Sequence, residues 1–220
     1  TRTEVGGEIG RFYLFKADGI FQNQAEIDAH AIQPNAAPGD LRFLDTSGDG
    51  TLDDDDKQFL GSGLPDFEYG ITLTGRYKNF DASMFFQGTQ GNEIYNGVKM
   101  WLYRTDRQNM SPDLLNAWTP QNTGSSIPRN AFGDPNNNIR PSSYFLEDGS
   151  YFRLKNIQIG YTMPESVINK LTISKMRLYL TANNVFTVTD YSGFDPGLGN
   201  GGTFTNPLSK SFILGINLSL

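Results

Sequence analysis

Ile71-Thr72-Leu73-Thr74-Gly75-Arg76-Tyr77-Lys78-Asn79-Phe80-Asp81-Ala82-Ser83-Met84-Phe85-Phe86-Gln87 decides the fold class. Ile71, Leu73 and Tyr77 alternate with Thr72, Thr74 and Arg76. After a short turn at Lys78-Asn79, Phe80, Ala82, Met84 and Phe86 alternate with Asp81, Ser83 and Gln87. A period of two sends successive side chains to opposite faces of an extended strand, so the stretch predicts a hairpin with one apolar and one polar face. The pattern returns downstream. Met176, Leu178, Leu180 and Ala182 oppose Arg177, Tyr179, Thr181 and Asn183, and Phe212, Leu214, Ile216, Leu218 and Leu220 oppose Ser211, Gly215, Asn217 and Ser219. Gly10–Lys16 and Tyr151–Thr162 also read as extended. In the latter, Phe152 and Leu154 are out of phase with Ile157, Ile159 and Tyr161, which predicts a bulge near Asn156.

Six strands of this length suit a bilayer, where about 9–11 tilted residues suffice. The connections alternate in length: long from Asp18 to Pro65, short at Lys78-Asn79, long from Gly88 to Gly149, moderate from Pro164 to Ser174 and long from Asp190 to Ser209. Outer-membrane barrels show this asymmetry, with short turns on one side and long loops on the other. The apolar face would meet lipid, with Tyr77 and Phe80 in one aromatic girdle and Phe186 and Tyr191 in the other. The sequence ends on an alternating apolar strand, which requires lipid or a second sheet as cover. The expected fold is therefore all-β, an antiparallel transmembrane β-barrel segment with long extracellular loops. Six strands cannot close a barrel, because the smallest has about eight.

Composition narrows function. Net charge is -6 over 220 residues, with no cysteine and one histidine, His30. An acidic chain is a poor partner for nucleic acid. Without cysteine there is no disulfide framework or thiolate site, and one histidine leaves little imidazole chemistry. No acidic residue has an identifiable acid–base partner, so no enzymatic site is expected.

Asp45-Thr46-Ser47-Gly48-Asp49-Gly50-Thr51-Leu52-Asp53-Asp54-Asp55-Asp56 spaces oxygen donors as a calcium loop does, with Gly50 at the sharp bend. The predicted donors for a structural Ca2+ are Asp45, Ser47, Asp49, Thr51 (through its carbonyl), Asp53 and Asp56. Asp56 stands where glutamate is usual, and no amphipathic helix flanks the loop. In the connection from Gly88 to Gly149, Trp101, Tyr103 and Trp118 are candidates for a substrate or partner platform, or for anchors of the loop itself. Arg104, Asp106 and Arg107 read as a solvated charged cluster. Asn136-Asn137-Asn138 and Asp195-Pro196-Gly197 read as turns. Arg153 and Lys155 are suited to lipid phosphates or to the lumen.

The order of several short stretches resembles the C-terminal part of SusC/RagA-type, TonB-dependent outer-membrane transporters of Bacteroidota. Asp18-Gly19-Ile20-Phe21-Gln22-Asn23, Gly39-Asp40-Leu41 leading into Asp45–Asp56, Pro65-Asp66-Phe67 and Phe85-Phe86-Gln87-Gly88 followed by Gly91-Asn92 carry the resemblance. So do Tyr151-Phe152-Arg153-Leu154-Lys155-Asn156, Asn183-Asn184-Val185-Phe186 and Tyr191-Ser192-Gly193-Phe194-Asp195-Pro196. The resemblance spans nearly all of residues 1–220. It implies the last strands of a barrel of about 22 strands, with the plug and N-terminal strands absent and the loop at 45–56 inside an extracellular connection. It also implies import of oligosaccharides or peptides at the cell outer membrane, a SusD-like surface lipoprotein as partner, TonB contacted through the absent N-terminal part, and lipid around the wall. The competing expectation is a secreted, calcium-clipped β-sandwich that binds glycan.

Overall fold

The computed structural model describes residues 1–106, 110–168, 173–198, 206 and 208–219. Its strands are β1 (Phe12–Leu14), β2 (Ala17–Ile20), β3 (Leu41–Phe43), β4 (Gln58–Gly61), β5 (Phe67–Tyr77), β6 (Phe80–Gln90), β7 (Glu93–Tyr95), β8 (Leu146–Asp148), β9 (Tyr151–Thr162), β10 (Lys175–Thr189) and β11 (Ser211–Ser219). Among the described residues the short α-helices are α1 (Gln24–Asp28), α2 (Gly97–Leu102) and α3 (Glu165–Ile168). The chain divides into two compact units. One is Thr1–Leu64 with Glu93–Asp148 and Leu198. The other is Pro65–Asn92, Gly149–Gly197 and the final strand.

The second unit is a single antiparallel sheet in the order β11-β10-β9-β6-β5. The β5–β6 hairpin turns at Lys78, whose φ of 53° lies in the left-handed region. Register sorts the two faces. Across the sheet, Leu73, Met84, Ile157, Ala182 and Phe212 share one row, and Tyr77, Phe80, Tyr161, Leu178 and Ile216 share another. These rows and their even-spaced neighbours form one apolar face. Thirteen of its large side chains, from Phe186 at 41% to Leu214 at 79%, are exposed.

The other face is polar and cross-bonded. Gln158 donates to Thr181 Oγ1, Asn156 to Asn183 Oδ1, and Asn183 to Ser211 Oγ, while the Arg177 guanidinium clamps the Asp81 carboxylate with two bonds. Arg177 on β10 reaches Asp81 on β6 by lying across Gly160 of the intervening β9, where a Cβ would occupy the guanidinium's place. Phe85 and Ile213 are the apolar intrusions on this face.

The predicted bulge lies at Lys155. Phe85 pairs with Asn156 while Phe86 pairs with Leu154, so Lys155 is the extra residue. At the same level β10 answers with Asn184 and Val185 between its pairs, and Asn184 takes φ 51°. The double irregularity returns Phe152, Leu154, Phe186 and Val188 to the apolar face. Aromatic rings gather at both ends of that face. Phe80 packs on Tyr161 at 4.7 Å beside Tyr77, and at the far end Phe86 stacks on Phe152 at 5.3 Å with Tyr69 and Phe186 nearby.

Two expectations need correction. Gly10–Lys16 supplies only the three-residue β1, which pairs with β4 in the first unit, so five long strands form the sheet. Its apolar side chains, Phe12 and Leu14, are buried inside that unit. Tyr191 is buried and folds over Gly193 rather than joining the ring of Phe186. Leu220, the last residue of the expected final run, lies outside the described residues.

The first unit is loop-rich, with three two-stranded ladders, β1–β4, β2–β3 and β7–β8. Phe15, Leu41, Phe43 and Leu52 form its apolar centre, with Ile20 and Tyr144 against it. The Arg140 guanidinium lies over the rings of Phe15 and Phe43 and donates to the carbonyls of Asn136 and Asn137. Burial there pushes its pKa down from the usual arginine value. Beside this centre is a polar knot. Asp40, wholly buried, accepts two bonds from Arg129, one from Asn138 and one from the Ala37 amide. Gln33, Asn136 and Asn138 satisfy the backbone of Leu41 and Phe43. Such groups are tolerated in the interior because each has its partners. The expected turn at Asn136–Asn138 exists, with Asn137 at φ 56°, but its outer two side chains are structural ligands of the knot.

Candidate functional site

The acidic loop runs between β3 and β4. Gly48 and Gly50 take φ of 75° and 85°, a conformation that glycine adopts without steric cost. Asp45 accepts from the amides of Gly48 and Gly50 and from the Ser47 hydroxyl. The Gly50 and Gly48 amides, in that order, hold its carboxyl below the usual aspartate value. Asp49 accepts from Thr51 N and Asp53 from Asp55 N, while Leu52 is buried and its amide donates to the Ile32 carbonyl. Asp56 is buried, and its carboxylate accepts from the amides of Thr46, Ser47 and Asp53, tying the two ends of the loop together. The donors thus lie in one loop with the expected bend, and each of the carboxylates of Asp45, Asp49, Asp53 and Asp56 has at least one oxygen bonded to the loop's own amides. Among the described residues, no three acidic or histidine side chains converge as a cation cage. A dication would want six to eight converging oxygens, so to hold one these carboxylates would exchange amide partners for the ion.

The three aromatic candidates separate. Trp118 is buried. Its indole N–H donates to Gln22 Oε1, and its ring fills the space beside Gly39, where φ is 93° and a side chain would collide. Trp101, on α2, is partly exposed with the Arg104 guanidinium 5.0 Å from its ring centroid, and Arg104 forms a 2.6 Å ion pair with Asp106. Arg107 lies outside the described residues. Tyr103 alone of the three lines a cavity of about 590 Å³, with Gly19, Gln22, Lys99, Ser126 and Tyr144 among the other walls.

Lys99 organises one side of this cavity. Its ammonium is 3.3 Å from Glu147 and 4.9 Å from the Tyr144 ring centroid. Burial is the first cause that raises the phenols of Tyr103 and Tyr144 above the ordinary tyrosine value, with Asp113 adding to it at Tyr103. Both are therefore neutral donors at physiological pH. The walls offer two rings, hydroxyls and an amide, with their one ammonium already matched by a carboxylate. Tyr144 and Lys99 escaped sequence reasoning because no motif joins them to Tyr103; only the chain path brings residues 99–103 and 143–144 together.

Arg153, expected at lipid or lumen, is 2% exposed on the polar face of β9 and bonded to Asp195. His30 is half-buried, its ring edge-on to Phe21 at 5.2 Å.

No family model matches the chain. Similarity to individual proteins is extensive. TonB-dependent receptor P3 of Formosa agariphila is 38% identical over 192 residues, 87% of this chain and 19% of that protein. TonB-dependent receptor P26 of the same organism is 35% identical over 235 residues, covering all of this chain and 23% of the relative. This chain is related to the SusC/RagA-type TonB-dependent receptors. SusC of Bacteroides thetaiotaomicron itself is 27% identical over 97% of the chain and 22% of its own length. Among solved structures, the RagAB peptide transporter superposes with a TM-score of 0.74 at 25% identity, over 94% of this chain and 22% of that one. The RagAB importer in its open-open state gives 0.73 at 26%. The chain thus spans about a fifth of the length of these receptors, and its antiparallel sheet has the fold of the corresponding part of a SusC/RagA-type receptor.

Proposed function

We propose that residues 1–220 are the C-terminal portion of an outer-membrane import barrel, with β5, β6, β9, β10 and β11 crossing the membrane and the long connections of the chain forming extracellular loops. The observation that carries this reading is the exposed, uninterrupted apolar face with aromatic rows at both ends. Water would leave that face unfavourably solvated, whereas acyl chains solvate it. The strands have 9 to 15 residues, the span such a wall needs. A β-sandwich would bury the same side chains beneath a second sheet.

On this reading the complete receptor has about 22 strands and a plug, works with a SusD-like lipoprotein lid and TonB, and imports oligosaccharides or peptides without covalent chemistry. Tyr103, with Tyr144 and Lys99, supplies a substrate contact; Trp101 lies beside it on α2, and Trp118 fixes the Gly39 backbone. Fractionation of cells expressing the complete receptor tests the proposal. It should sediment with the outer membrane, require detergent and run faster on gels unheated than boiled. Release as a soluble secreted protein would reject it.

A calcium clip at Asp45, Ser47, Asp49, Thr51, Asp53 and Asp56 is a separate proposal. It requires Asp49 and Asp53 to leave their own turns and face the loop centre. Calcium against chelator should then change protease cleavage within residues 45–56, and Asp49→Ala should abolish the difference; cleavage indifferent to calcium would reject it.

A further inference from the structure

We infer that Arg153 and Asp195 form the catch of a strap, which holds residues 190–197, just after β10, folded back over the polar face of their own sheet. Arg153 lies opposite Thr187 in the β9–β10 ladder. Its Nε donates to Thr187 Oγ1 at 2.8 Å and its Nη2 to Asp195 Oδ1 at 2.5 Å, while the guanidinium lies 4.9 Å from the Tyr151 ring centroid. One planar group therefore grips a strand and a loop together, which the single point charge of lysine does poorly.

The pair is sealed, with side-chain exposures of 2% and 7%, so water does not compete for either charge. The loop is shaped to deliver Asp195 to this place. The Tyr191 amide donates to Thr189 Oγ1, Tyr191 folds over Gly193, and Asp195 also accepts from Gly197 N at 2.8 Å. A side chain at 197 would come within 3.3 Å of the guanidinium, so the bare backbone there belongs to the fit. Removing Asp195 leaves a buried guanidinium without its counter-charge, a state the structure relieves by opening the loop. Resting on the barrel reading, the strap narrows the lumen beside β9 and β10, and the loop swings out only when this pair parts.

The test uses the complete receptor in detergent and a limiting amount of chymotrypsin, which cuts after Tyr191, Phe194 and Leu198. Asp195→Ala should speed cleavage in this segment at least tenfold, and Arg153→Lys should give a smaller increase. The heat-modifiable gel band of both variants should remain that of the wild type. Asp195→Asn keeps the volume and the acceptor for Gly197 N but removes the charge, and should accelerate cleavage about threefold. Unchanged cleavage in assembled Asp195→Asn protein would overturn the strap. Failure of Asp195→Asn to assemble would also overturn it, by making the pair a folding requirement rather than a catch. A wild-type receptor that needs no detergent would defeat the membrane reading alone, because cleavage reports only on the loop.

Discussion

Met84→Arg separates a lipid-facing sheet from a water-facing one. Met84 lies on β6, paired with Leu73 on one side and Ile157 on the other, so its strand is held on both edges. The register puts it four residues from Phe80 in one aromatic row and four from Gly88, which pairs with Tyr69 and Phe152 in the other. At about 3.4 Å per residue and a tilt of about 40°, Met84 is about 10 Å along the membrane normal from either row. That is near the midplane, where arginine on the lipid face of a barrel costs about 2–4 kcal/mol. Both side chains are long and unbranched, so packing change contributes little. The assay is reversible guanidinium unfolding of the complete receptor in phospholipid vesicles, with two controls. Ser83→Arg, on the polar face, should cost less than about 1 kcal/mol, as surface substitutions do. At the aromatic row, Phe80→Arg should show a depth cost of about 0–1 kcal/mol. Equal losses at Met84 and Ser83 would refute the assignment of faces.

Three further outcomes follow from particular contacts. Asp40→Ala should loosen the first unit by about 3 kcal/mol, since it strands Arg129 and Asn138 and opens the Leu41 backbone; faster amide exchange at Leu41 and Phe43 is the readout. Gly160→Val should sever Arg177 from Asp81 and destabilise the sheet by about 1–3 kcal/mol through overpacking; the same substitution should cost much less once Arg177 is alanine. Desolvation first, and Asp148 opposite, raise the Glu93 carboxyl above its ordinary value. A raised folded-state value means that the fold prefers the protonated form. This stabilisation is fully present below the ordinary glutamate range and is lost as pH rises through the raised value. Exchange protection of β7 and β8 should therefore grow on acidification, and Glu93→Gln should flatten that dependence.

Reading along the chain located the long strands well because period two is a local property. Ile71–Gln87 could scarcely be anything but a two-faced hairpin, and the phase slip between Leu154 and Ile157 announced its bulge. The same logic overreached at Gly10–Lys16. The extended run there supplies only a three-residue ladder with Phe12 and Leu14 buried, and burial is not written in a short apolar run. The acidic loop's bend was legible from its glycines, but the direction of each carboxylate was not. Asp56 points to amides ten and nine residues away, a choice settled by how the loop ends meet.

The residue alphabet alone determined a β-rich wall with one greasy side, because side-chain alternation and hydrophobicity belong to each strand separately. Contacts spanning dozens of residues were decided only by the fold. Asp40 with Arg129, Tyr103 with Tyr144, Arg177 across Gly160 to Asp81 and Arg153 with Asp195 each join distant segments. A charge in a sequence has no stated partner; the chain path supplies one when it excludes water around both.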